Sequence, residues 1–171
     1  MIMVAVGITS LLLGWKLGDW RKIEKYYPTI LFLIIGDLLY NIFIYSDPTW
    51  SYNKTWIFPN HTLANLWIMI TVYPATVMIY LFHFPKKKRK QIFYIIFWVI
   101  LYVIAEIFGL HVFNFIDHFN GWNMWWSLLF DIILFVMLYI HYKRPLLAWG
   151  LSIIVIIFFL NVFDVNLHIL N

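Results

Sequence analysis

The sequence predicts an all-α protein: a polytopic bundle of about six transmembrane helices, a single integral membrane domain over residues 1–171 with both termini outside. Three observations predict it. Hydrophobic residues make up 64% of the chain and Asp, Glu, Lys and Arg only 12%, about half the ~25% of a soluble domain, which excludes a water-soluble globule. Six apolar runs approach the ~20 residues needed to cross the hydrocarbon core. The basic residues alternate between the connections of those runs.

The first run, residues 1–17, is short, and its Lys16 must reach the surface on its long stem. Lys16, Arg21, Lys22 and Lys25 follow the apolar stretch, whereas a secretory signal peptide has its charge before it, so this is a retained span. The second run, 28–45, starts at Pro28, suited to a first turn, and ends at the turn chemistry of Ser46, Asp47 and Pro48. The third, 63–84, contains Pro74, expected to kink it or loosen one turn. The fourth is 92–110, the fifth 124–140, and the sixth 146–160 after Pro145. If the sixth lay flat in the interface, only the C-terminus would change sides.

Of the twelve Lys and Arg, four follow the first run, one the second, five the third and two the fifth. Eleven therefore fall on alternate connections, which the positive-inside rule places in the cytoplasm. The formal charge of +4 thus encodes orientation and implies no nucleic-acid partner. Lys86, Lys87, Lys88, Arg89 and Lys90 form a topology anchor, able also to contact anionic lipid head groups at the cytoplasmic face at about 1 kcal/mol per residue. Trp15, Trp20, Trp50, Trp56, Trp122, Trp125 and Trp126 cluster where spans meet water, as an interfacial belt. His83 and His141 sit at the cytoplasmic rim as anchors.

Without cysteine there is no disulfide framework, thiolate nucleophile or Cys-ligated metal. The chain has no P-loop, dinucleotide fingerprint or Gly-x-Ser-x-Gly elbow, and no cofactor is expected. His111, Asn114 and His118 would share a face only if the outer loop were helical, with Asp117 and His61 beside them; no metal site is expected from so loose a pattern. Asn53 and Asn60 match the glycosylation pattern, which matters only in a secretory-pathway host.

The informative residues are the acids inside apolar runs: Asp37, Glu106 and Asp131. Asp37 and Asp131 lie about nine residues from either end of their runs, near the midplane at 1.5 Å per residue, and Glu106 lies in the outer third. No Lys or Arg lies deep in any run, so an internal salt bridge is not expected to neutralise them. An ionised carboxylate at a helix centre costs roughly 2.5–3.5 kcal/mol. Protonating an Asp at pH 7 costs about 4 kcal/mol, so shared protons, hydrogen-bonded partners, water or a bound cation are favoured over an acid facing lipid.

Partners occur four residues apart, on one helix face. Asn41 follows Asp37, Asn65 follows His61, Tyr102 precedes Glu106, and Asn123, Ser127 and Asp131 draw a stripe down the fifth span. In the deduced orientation Asn41, His61, Asn65, Glu106, Asn123 and Ser127 lie in the outer half and are expected to line one outward pocket above the two aspartates. The plainer alternative is that they tie helices together at about 0.6 kcal/mol per contact. The chain's halves also have opposite topology, each with a mid-membrane Asp, as in inverted-repeat transporters, although sequence similarity around the two is slight.

Gly18-Asp19-Trp20, Lys25-Tyr26-Tyr27-Pro28-Thr29, Gly36-Asp37-Leu38-Leu39-Tyr40-Asn41, Pro59-Asn60-His61, Gly121-Trp122-Asn123 and His141-Tyr142-Lys143-Arg144-Pro145-Leu146 occur in an order that resembles an uncharacterised family of small multi-span membrane proteins of spore-forming Gram-positive bacteria. The resemblance covers nearly the whole chain. It implies a bacterial cytoplasmic membrane and no catalytic role for any residue. The expected function is a small carrier or a solute- or cation-binding subunit. The alternatives are a membrane-embedded enzyme acting on a lipid or isoprenoid, with one acid as donor and another as base, and an accessory subunit that meets a membrane protein partner.

Overall fold

The computed structural model describes residues 1–45 and 48–165. Six α-helices form the body: α1 Ile2–Leu17, α2 Ile23–Phe43, α3 His61–Phe82, α4 Lys88–Ile107, α5 Met124–Lys143 and α6 Pro145–Val162. A 3-10 turn, Trp20–Lys22, leads into α2, and a π turn, Phe108–Val112, extends α4. Two three-residue strands, β1 Trp50–Tyr52 and β2 Ile116–His118, complete the described elements. Five helical segments are long and apolar enough to cross a membrane. α1 has 16 residues, which at 1.5 Å each is about 24 Å, short of a ~30 Å core.

Two boundaries differ from the sequence expectation. α2 starts at Ile23, so Pro28 lies inside the helix rather than in its first turn. The helix gives up the Pro28 N–H bond and continues because apolar positions on both sides pack on α3 and α5. α4 starts at Lys88, within the basic run. Cations in a first turn oppose the helix dipole, but Lys88, Arg89 and Lys90 all face solvent, where the penalty is a few tenths of a kcal/mol. α3 continues through Pro74 as one helix. Ser46 and Asp47, read as the turn after the second span, lie outside the described residues.

Side-chain contacts give the helix directions. α3 is the axis, and α1 runs parallel to it because Gly7 sits against Trp67 and Thr71, Gly14 against Ala75 and Gly18 against Met78. A Cβ at Gly14 would lie 2.9 Å from that of Ala75. Such close approach of small residues holds helices together where lipid offers no hydrophobic drive. α6 returns antiparallel along α5: Trp149 meets His141 at one end, and Phe159 and Phe163 meet Trp122 at the other. The sixth helix therefore runs the length of the bundle and does not lie across its end.

The core between α2, α3, α4 and α5 contains Ile30, Leu33, Val77, Trp98, Phe135 and Leu138 around Tyr80, which is 0% exposed. A phenol so placed needs an acceptor, and its hydroxyl donates to the Phe135 carbonyl at 2.7 Å. In this arrangement eleven of the twelve Lys and Arg of the sequence lie at one end of the bundle, and Lys54 lies at the other beside β1. Gly14→Leu is expected to destabilise the bundle by about 1–3 kcal/mol through overpacking against α3. Gly36→Ala, where nothing lies within 4 Å of the added carbon, should leave stability unchanged or raised; denaturant titration of both variants in micelles checks the contrast.

Candidate functional site

The polar side chains gather at the end of the bundle opposite the basic residues, beneath a two-stranded ribbon. β1 and β2 pair antiparallel, Trp50 with His118, Ser51 with Asp117 and Tyr52 with Ile116. Backbone bonds Asn53 N–H to Phe115 O at 2.9 Å and Phe119 N–H to Thr49 O at 2.8 Å lengthen the ribbon. It ties the α2–α3 connection to the α4–α5 connection. Alternate residues on a strand point to opposite faces, so Trp50, Tyr52, Ile116 and His118 turn toward the helices while Asp117 faces out.

Glu106, at the end of α4, is the first focus. Its Oε1 accepts from Trp50 Nε1 at 3.1 Å, Ser127 Oγ at 2.7 Å and His118 Nε2 at 2.7 Å. Ser127 in turn accepts from Trp122 Nε1 at 2.8 Å. Four segments thus meet at one carboxyl, with Trp122 bonded behind Ser127. No Lys or Arg side chain meets these acids among the described residues; the basic side chain beside Glu106 is the His118 imidazole, its Nε2 2.7 Å from Oε1. The helical outer loop that would have aligned His111 with His118 is absent. The π turn ends at Val112, Asn114 turns the chain at φ 49°, and β2 carries His118 inward.

Asp37, on α2, is the second focus. Its Oδ2 accepts from Asn65 Nδ2 at 2.6 Å, and the Tyr73 hydroxyl faces the same carboxyl. Asn41 does not bind the Asp37 side chain: its amide nitrogen donates to the Asp37 backbone carbonyl at 2.8 Å, and its Oδ1 is 2.7 Å from His61 Nε2. His61 Nδ1 accepts the Tyr52 backbone N–H at 2.9 Å. That bond requires an unprotonated Nδ1, so His61 carries its proton on Nε2 and donates to Asn41. The ribbon is therefore fastened by Trp50 and His118 to Glu106 and by the Tyr52 backbone to His61.

Tyr52 lies between the two foci, its ring stacked on His61 at 5.6 Å and edge-on to Trp50 at 4.5 Å. Burial, then the neighbouring Asp37, Tyr102 and Glu106 groups, pushes its hydroxyl well above the ordinary value. It remains a neutral phenol. Asp131 lies one turn deeper on α5 than Ser127, beside Glu106 and Tyr102. Tyr102 bonds Thr76 Oγ1 at 2.7 Å instead of Glu106. Asp131 is buried, and its Oδ2 has no hydrogen-bond partner among the described residues; Asn65 Oδ1 is in the same condition.

Of the residues expected to line one pocket, Asp37, Asn41, His61 and Asn65 form one cluster, and Glu106, Ser127 and Asp131 another, with Tyr52 between. Asn123 belongs to neither. It is exposed and caps α5, accepting the Trp125 N–H at 3.0 Å, because an Asn at that position satisfies a free helix N–H. Trp50, Tyr52, His118 and Trp122 enter the site without having been singled out for it. The two tryptophans carried the generic signal of an interfacial belt, and no helical spacing connects His118 to Glu106.

Among the described residues no three His, Cys, Asp or Glu side chains converge as a metal site would require. The chain matches no family model, no curated protein and no solved structure.

Glu106→Ala is expected to leave the Trp50, Ser127 and His118 donors without an acceptor, at about 1–3 kcal/mol for each one that stays buried. Glu106→Gln keeps an acceptor and should cost less. Unfolding in micelles, with the Trp50 indole N–H followed by NMR, measures both.

Proposed function

We propose that this chain is a multi-pass protein of a bacterial cytoplasmic membrane, with both termini and the ribbon outside, that binds or carries a proton or small cation through its outer polar layer. The segregation of eleven basic residues to one end supports the orientation, and the resemblance noted above supports the host membrane. Lys86, Lys87, Lys88, Arg89 and Lys90, all exposed, suit contact with anionic lipids at the cytoplasmic surface.

The observation that carries the reading is an excess of acceptors. Among the described residues, two buried oxygens of the layer formed by Asp37, Asn65, Glu106, Ser127 and Asp131, namely Asp131 Oδ2 and Asn65 Oδ1, lack a donor, while the buried donors without partners, Trp20 Nε1 and Trp98 Nε1, belong to other parts of the bundle. A buried acceptor left unpaired costs about 1–3 kcal/mol. A proton or a cation brings what the layer lacks; a neutral acceptor or an anion does not. Apart from Lys54, the Lys and Arg side chains lie at the far end, away from the layer.

Asp131→Asn and Asp37→Asn are expected to lower proton flux or monovalent-cation uptake at least tenfold, which corresponds to about 1.4 kcal/mol of lost interaction. The assay uses proteoliposomes loaded with a pH- or cation-sensitive dye. Unchanged uptake between about pH 5 and 8, across the range where carboxyls and histidines titrate, in variants that still insert, refutes the proposal.

A further inference from the structure

The opposite end of the bundle contains a built arrangement that the acid layer does not use. Tyr26 of α2 is buried and stacks on Tyr142 of α5, ring centroids 6.0 Å apart and planes 18° from parallel. Directly behind this pair Thr29 Oγ1 and His141 Nδ1 are 3.0 Å apart, both groups buried, and His141 stacks on Phe32 at 4.2 Å. The two phenol rings therefore rest on a fixed α2–α5 junction.

Two ammonium groups lie near the Tyr142 ring. Lys25 Nζ lies 5.4 Å and Lys143 Nζ 5.2 Å from the Tyr142 centroid. Lys25 Nζ also lies 6.0 Å from the Tyr26 centroid. Two like charges on one ring repel unless an anion joins them. Asp19, the carboxyl that acts on Lys25, is bonded to Lys22 at 3.2 Å, and among the described residues neither Lys25 nor Lys143 has a carboxylate within ion-pair distance. Arg144 follows immediately and is exposed, adding a guanidinium suited to paired oxygens.

We propose that Lys25, Tyr142 and Lys143, with Arg144, form a binding site for a phosphate ester. Two ammonium groups and a guanidinium offer donors in several directions, which fits a tetrahedral oxyanion. The site sits where the head group of an anionic phospholipid would lie if this end faces the cytoplasmic leaflet, and a soluble phosphate ester offers the same chemistry. It differs from the Lys86–Lys90 run in that two of its cations lie over a tyrosine ring packed on the buried Tyr26. It is independent of the acid layer's role.

The test uses the full chain in neutral detergent, with short-chain phosphatidylglycerol as the lipid probe and glycerol phosphate as the soluble one, each read by the concentration that half-maximally raises the melting temperature. Lys25→Gln/Lys143→Gln should weaken binding about thirtyfold, from about 1 kcal/mol per basic residue. Lys25→Arg/Lys143→Arg should largely retain it, and Lys86→Gln/Lys88→Gln should weaken it far less. A response to phosphatidylglycerol alone identifies a lipid head group as the source, and a response to both probes a free phosphate ester. Equal loss in the two Gln pairs, or no loss in the first, overturns the proposal.

Discussion

A polar group inside a hydrophobic bundle must find a partner within the chain, and most of this structure follows from that constraint. Tyr80 illustrates the simple solution, a single donor placed on the carbonyl of Phe135. Glu106 illustrates the costly one. Its carboxyl draws on Trp50, His118 and Ser127 from three other segments, and satisfying it requires the two connections at that end to fold over the helices as a paired ribbon. The ribbon is thus a consequence of an acid near the end of α4 as much as of strand propensity in three-residue strands.

The same constraint separates the two ends of the molecule. One collects nearly every basic side chain and leaves it exposed. The other collects carboxyls, amides and imidazoles and covers them with aromatic rings. Long basic side chains extend to water at little cost, whereas Asp, Asn and Ser are too short to leave the helix surface and have to be met where they stand. That difference in reach explains why the basic end is exposed and the opposite end is a connected network.

Asp37 and Asp131 occupy matching places in the two halves, yet their surroundings differ. Asp37 is held by Asn65, on the neighbouring helix α3. Asp131 lies beside Tyr102 of α4, whose hydroxyl is already bonded to Thr76 of α3. The inverted topology of the halves therefore does not extend to the environment of the acids, and the unpaired oxygen of Asp131 is the least balanced feature of the layer.

Helix number, order and approximate bounds were legible from the sequence because apolar length and the distribution of Lys and Arg are properties of local chain segments. The positions of Asp37, Glu106 and Asp131 along their helices were legible for the same reason, since each lies a countable number of residues from a helix end. The partners were not. Spacing by four paired Asn41 with Asp37 and Tyr102 with Glu106, but a side chain on one helix selects among several acceptors according to which neighbouring helix faces it. Tertiary packing instead gave Asp37 to Asn65 across 28 residues and Glu106 to Trp50 across 56. The start of α2 before Pro28, the return of α6 along α5 and the inward turn of His118 were decided at the same level, because each depends on the energy of contacts between segments that no periodicity within one segment encodes.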